Sequence, residues 1–145
     1  MSHTFPDHPR VGVGVLVWKG DALLLIRRGK PPGMGEWSLP GGSQELGETL
    51  FETAAREVME ETCITARPVA VLTAVDNIVQ DPDGRVRFHY TIVDVVAEWQ
   101  AGEPVAATDV LEARWATPQE WRSLVVWQPL LEVLEMALAA RQGCG

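Results

Sequence analysis

The stretch Gly42–Ile64, GSQELGETLFETAAREVMEETCI, constrains this chain more than any other. It opens on a glycine turn and then carries apolar residues at a helical period. At about 100° per residue, Leu50, Phe51, Ala54, Ala55 and Val58 make one apolar arc, which predicts a helix laid against a core. Thr49-Leu50-Phe51-Glu52 has the form of a capping box, so the helix is expected to start near Thr49. Glu57, Glu60 and Glu61 make an acidic arc that overlaps the margin of the apolar one, with Glu61 furthest in. Like charges one turn apart cost a helix roughly 0.2–0.5 kcal/mol. Something cationic should offset them, and hard divalent ions such as Mg²⁺ prefer carboxylate oxygen while keeping waters and substrate phosphate in their shell. The bland alternative is a solvated acidic helix surface.

On the N-terminal side, residues 1 to 10 hold two prolines and two histidines with no periodicity, and are expected to form an irregular arm. His3 and His8 are read there as solvated side chains. The run Val11–Trp18, the turn Lys19-Gly20-Asp21 and the run Ala22–Ile26 predict a strand pair buried on both faces. Arg27 and Arg28 close the second strand, and Gly29–Gly35 is a loop by its prolines and glycines. Either arginine is a candidate for substrate phosphate, because a guanidinium fork suits that geometry; the alternative is a solvated cluster of cations. After Trp37–Pro40, Gly41 and Gly42 carry no side chains, so backbone can come close there to an ion or a phosphate.

On the C-terminal side, residues 66 to 79 and 85 to 100 are two long β-like runs around Pro82-Asp83-Gly84, a turn in which Pro fixes one corner and Gly accepts another. Asp76, Asn77, His89 and Tyr90 are their notable polar residues, with His89 read as structural more readily than as an acid or base. A last strand over Leu111–Thr117, a helical piece from Pro118 and a helix over Pro129–Arg141 complete the chain. Trp121 and Trp127 are read as packing residues, and Val125 and Val126 as either core or interface. A mixed sheet with helices before and after its hairpin implies an α/β sandwich of three layers.

Length and charge narrow the function. The 145 residues amount to about one domain, taken as 11–145 after the arm. With 46% hydrophobic and 22% charged residues a packed core is expected. The net charge of −8 argues against binding nucleic acid through a basic surface. Cys63 and Cys144 are too few and too far apart for a disulfide framework, and no apolar run is long enough to span a bilayer, so a cytoplasmic protein is expected.

The same central stretch resembles the signature of the Nudix hydrolases, G-x5-E-x7-R-E-U-x-E-E-x-G-U. Gly42, Glu48, Arg56, Glu57, Val58, Glu60, Glu61 and Ile64 fill eight of its nine fixed places, and Cys63 stands where the family has Gly. The resemblance implies a Nudix-type α/β/α sandwich and hydrolysis of a nucleoside diphosphate linked to another moiety. It implies Glu57, Glu60 and Glu61 as ligands of one to three Mg²⁺ or Mn²⁺ ions, with the Gly42 carbonyl as a further ligand. Arg56 and Glu48 become supports of the site. The proton acceptor is Glu57 or an acid from a later loop, Asp109 first and Glu112 second. The segments VGVGVLVWKGDALLLIRRGKPPGMGEWSLPGG and VRFHYTIVDVVAEW are similar to bacterial ADP-ribose pyrophosphatases, which makes ADP-ribose the first substrate. A nucleoside triphosphate pyrophosphohydrolase is the second reading, and a non-catalytic nucleotide-binding regulator the third. An RNA-end hydrolase is disfavoured by the charge. The expected partner is a small nucleotide, with neither nucleic acid nor membrane, and a homodimer stays open.

Overall fold

The computed structural model describes residues 4–144; His3 and the Cys144 side chain lie outside the described residues. The fold is built outward from strand β1 (Arg10–Lys19), which is buried from Val13 to Trp18. β1 runs parallel to β6 (Val86–Ala101) in unbroken register from Arg10↔Tyr90 to Trp18↔Glu98. On its other edge it pairs antiparallel with β2 (Ala22–Arg28) near Trp18 and with β4 (Gly41–Ser43) from Gly12 to Gly14. β3 (Trp37–Ser38) and β7 (Val110–Ala116) both pair with β2, and β5 (Thr65–Gln80) forms the long antiparallel hairpin with β6. The glycine turn expected before the acidic helix is thus partly a strand, because Gly41 to Ser43 find ladder partners on β1.

Side chains alternate across a strand, and on β1 each face meets a different core. Val13, Val15 and Val17 pack with Leu24, Val95, Ile64 and the inner face of α1 (Leu50–Thr62). Leu16 and Trp18 pack with Leu23, Leu25 and Trp121, and with Leu130, Val133, Leu134 and Ala137 of α3 (Gln128–Cys144). The short α2 (Pro118–Leu124) supplies Trp121 to that second core. Each fully buried Leu or Val stabilises by roughly 1.5–3 kcal/mol, so β1 ties two cores into one sandwich of helix, mixed sheet and helices. No helix among the described residues is long and apolar enough to cross a membrane.

The acidic helix begins as its sequence predicts. Thr49 accepts from the Glu52 N–H at 3.1 Å, and the Glu52 carboxylate accepts from the Thr49 N–H at 2.8 Å. Its buried stripe is Thr53, Ala54, Val58 and Thr62, while Phe51 is 39% exposed. Thr53 displaces Phe51 from the core because its hydroxyl is satisfied there by Glu48 and the Thr49 carbonyl. The exit keeps the left-handed turn that a glycine would favour: Cys63 adopts φ 62, ψ 17, and its N–H donates to the Met59 carbonyl at 3.0 Å.

Candidate active site

A cleft of about 1070 Å³ opens between the acidic end of α1, the loop after β2, one face of the β5–β6 hairpin and the start of α3. Its lining includes Glu57, Glu61, Gly41, Gly42, Arg28, Lys30, Asn77, Tyr90, Asp94 and Trp127.

Glu48 and Arg56 hold the acidic end together. Arg56 donates to Glu48 through Nε and Nη2 at 2.6 and 2.9 Å, and to the Ser43 carbonyl at 3.2 Å, fastening α1 to the end of β4 and to the segment that follows it. Its Nη1 donates to Glu57 at 2.8 Å and to Glu60 at 3.2 Å. The Arg56 hydrogen bonds hold the Glu48 carboxyl down at about 2, and Glu48 in turn raises the guanidinium. Glu48 also caps the preceding loop by accepting from the Glu45 N–H at 2.9 Å.

The three signature glutamates part company in space. Glu57 and Glu61 line the cleft, whereas Glu60 lies outside its lining with a side chain 52% exposed and bonded to Arg56. Among the described residues no three His, Cys, Asp or Glu side chains stand together as a set able to hold one ion. The hydrogen bonds account for this: Arg56 occupies oxygens of both Glu57 and Glu60, and Glu61 Oε1 accepts from the Gly41 N–H at 2.8 Å.

Burial raises both cleft acids. Desolvation pushes Glu57 up against the pull of Arg56. It pushes Glu61 to about 7, assisted by the Glu57 charge and opposed by the Gly41 N–H, Arg28 and Lys30. Gly42 makes room for the first of them, since a Cβ there would stand 2.5 Å from the Glu57 carboxyl carbon. Two half-buried carboxyls whose ionised forms are disfavoured by desolvation, beside a backbone stripped of side chains, suit a divalent cation. Glu57, Glu61 and the Gly42 carbonyl are the groups that fit it.

The two arginines separate as strand neighbours do. Arg28 lines the cleft, where desolvation lowers its pKa, and its Nε donates to the Pro32 carbonyl at 2.5 Å. Arg27 lies outside the lining, donating to the Gly35 carbonyl at 2.9 Å and to Glu112 at 3.3 Å. Asp109 is also outside it, in the left-handed conformation at φ 61, and accepts from Lys30 Nζ at 3.3 Å. Neither Asp109, just before β7, nor Glu112, within it, lines the cleft with Glu57 and Glu61.

On the hairpin, Asn77 and Tyr90 are register partners and face the cleft, whereas His89 and Asp76 alternate with them and are not in the lining. Trp121 and Val125 are core, and Val126 is 67% exposed. Trp127, read from sequence as packing, lines the cleft beside Leu130 and Val133. Asp94 was missed by sequence reasoning. It is 3% exposed, one carboxyl oxygen has no hydrogen-bond partner, and desolvation raises it to about 7. The available signal was an acid inside the β-branched run Thr91–Val96, a residue type almost never fully buried without a pair.

Comparison with known proteins follows the same lines. The NUDIX domain profile matches residues 8–135. An ADP-ribose pyrophosphatase of Methanocaldococcus jannaschii is 36% identical over 108 residues, 74% of this chain and 62% of that protein. The 8-oxo-dGDP phosphatase NUDT18 of Mus musculus is 38% identical over 63 residues, 43% of this chain and 20% of that protein. The chain therefore spans less than two thirds of the length of either curated relative. A NUDIX hydrolase of Nitrosomonas europaea superposes with a TM-score of 0.76 over 94% of this chain and 74% of its own, at 24% identity, a likeness of fold.

Proposed function

The chain belongs to the Nudix family, and from that premise we propose that it hydrolyses a phosphoanhydride bond of ADP-ribose, giving AMP and ribose 5-phosphate. The observation that carries this reading is the pair of half-buried carboxyls, Glu57 and Glu61, at one end of a cleft also lined by Arg28 and Lys30. Nudix enzymes generally use divalent metal ions, and Glu57, Glu61 and the Gly42 carbonyl would hold Mg²⁺ or Mn²⁺ here. Such an ion, when bound, supplies positive charge against the phosphoryl oxygens and lowers the pKa of a coordinated water.

The chain's own groups divide the remaining work. Arg28 and Lys30 meet the negative charge of the diphosphate, Arg28 from a half-buried position where a guanidinium is worth more than in open water. Glu57 accepts a proton from the attacking water, its carboxyl oriented by Arg56. Arg56 and Glu48 act as positioning residues. Asp109 and Arg27, engaged with Lys30 and with Glu112, have no part in this reading. The choice of ADP-ribose is supported by the likeness to the Methanocaldococcus jannaschii ADP-ribose pyrophosphatase.

A second reading, release of pyrophosphate from a nucleoside triphosphate, draws on the likeness to a protein of Mycobacterium tuberculosis named a putative 8-oxo-dGTP diphosphatase, 32% identical over 127 residues. One experiment separates them. Purified protein with Mg²⁺ is offered ADP-ribose, nucleotide sugars and nucleoside triphosphates, and products are resolved by chromatography. AMP with ribose 5-phosphate supports the first reading, and a nucleoside monophosphate with pyrophosphate replaces it by the second. No turnover of any of them overturns both.

A further inference from the structure

Asp94 is an expensive residue for this fold. It sits at the floor of the cleft, 3% exposed, with Oδ2 unpartnered. A buried carboxyl that only served stability would be paired or hydrogen-bonded. The strand beside it has been cleared to accommodate it: a Cβ on Gly14, its register partner, would come within 2.7 Å of Asp94 Oδ1. Leu39 and Ile92 stand with Asp94 around the Gly14 position, Thr73 is the register partner of Asp94 on β5, and Leu130 and Val133 of α3 line the same cleft. A buried, unpartnered acceptor beside Leu39, Ile92, Leu130 and Val133 matches a flat heteroaromatic ring with a donor on its edge better than a sugar, which is polar all round.

The distance from the acidic end agrees. Gly41, whose N–H binds Glu61, pairs with Gly14, and Gly14 pairs with Asp94. Two strand spacings of about 4.8 Å put Asp94 about 10 Å across the sheet from Gly41, comparable with the reach from a nucleotide's diphosphate to its base. Resting on the Nudix reading for the diphosphate end, we propose that Asp94 is the base-reading residue of this cleft, accepting a hydrogen bond from the exocyclic amino group of an aminopurine. Above about pH 7, where Asp94 is ionised, it has only acceptors to offer, so a ring without that amine leaves a charge buried and unpaired, and such sites discriminate strongly.

The test needs no turnover. Binding of AMP is compared with that of purine riboside 5′-monophosphate, which lacks only the amino group, by calorimetry at pH 8, where Asp94 is ionised, on the wild type, Asp94→Ala and Asp94→Asn. A hydrogen bond to a charged acceptor predicts a preference for AMP of roughly 10- to 100-fold in the wild type. Asp94→Ala abolishes that preference, and Asp94→Asn, whose amide oxygen still accepts, retains part of it. Equal binding of the two nucleotides by the wild type, or an undiminished preference in folded Asp94→Ala, overturns the proposal. Hydrolysis of ADP-ribose is measured alongside. Turnover without base preference defeats Asp94 alone, whereas base preference without turnover of any anhydride defeats the hydrolase reading and leaves Asp94 standing.

Discussion

Replacing Asp94 by Asn removes a charge that the fold accommodates poorly and keeps the shape of the side chain. Burial raises this carboxyl from its ordinary 3.8 to about 7, with no charged partner contributing. In the unfolded chain it gives up its proton near the lower value, and in the folded chain it holds the proton to near the upper one. Between them the unfolded state binds fewer protons, so the folded state loses stability as pH rises. At about 1.4 kcal/mol per pH unit the full penalty above pH 7 reaches ~4 kcal/mol. Asn never ionises. The stability of Asp94→Asn relative to the wild type should therefore be lowest near pH 4 and rise by up to ~4 kcal/mol by pH 8. Urea denaturation at pH 4, 5, 6, 7 and 8 measures it through the midpoint at constant m, and the difference cancels the titration of distant carboxyls common to both proteins. A difference that stays flat with pH, or falls as pH rises, refutes the account of Asp94 as a buried group without compensation.

Cys63→Gly relieves a left-handed residue at the helix exit and should stabilise the protein by about 1 kcal/mol, seen as a higher midpoint in the same urea titration. Glu57→Gln and Glu61→Gln should each lower Mg²⁺-dependent turnover by about 100-fold or more with an unchanged circular dichroism spectrum. Glu60→Gln, on the exposed side of the cluster, should lower it less; an equal loss would put Glu60 inside the working set. Gly42→Ala drives a methyl group against the Glu57 carboxyl and should weaken Mn²⁺ binding, read by electron paramagnetic resonance, without an equal loss of stability.

The fold was legible where a segment's own pattern decides its structure. The capping box at Thr49, the helical spacing of Ala54 and Val58 and the Pro82-Asp83-Gly84 turn are local, and they stand in the structure as the residues imply. What stayed hidden depends on partners remote in sequence. Gly41 to Ser43 look like a turn because nothing nearby announces that β1 will pair with them. Phe51 belongs to the apolar arc by spacing, yet the Glu48 carboxylate, accepting from the Thr53 hydroxyl, gives Thr53 the buried place. The site shows the same division. Glu57, Glu61, Gly42 and Arg28 could be nominated from the chain alone. That Arg27 faces away, that Lys30 holds Asp109 at the rim and that Asp94 lies in the cleft all follow from strand register, which pattern does not fix.

The parallel pairing of β1 with β6 joins Arg10 to Tyr90 and Gly14 to Asp94, partners some eighty residues apart along the chain. During synthesis the acidic helix can therefore form long before the opposite wall of the cleft exists. A ribosome-bound chain halted before Val86 would carry every signature glutamate and still have nowhere to seat a nucleotide, so ligand capture should switch on abruptly once the second hairpin strand has emerged.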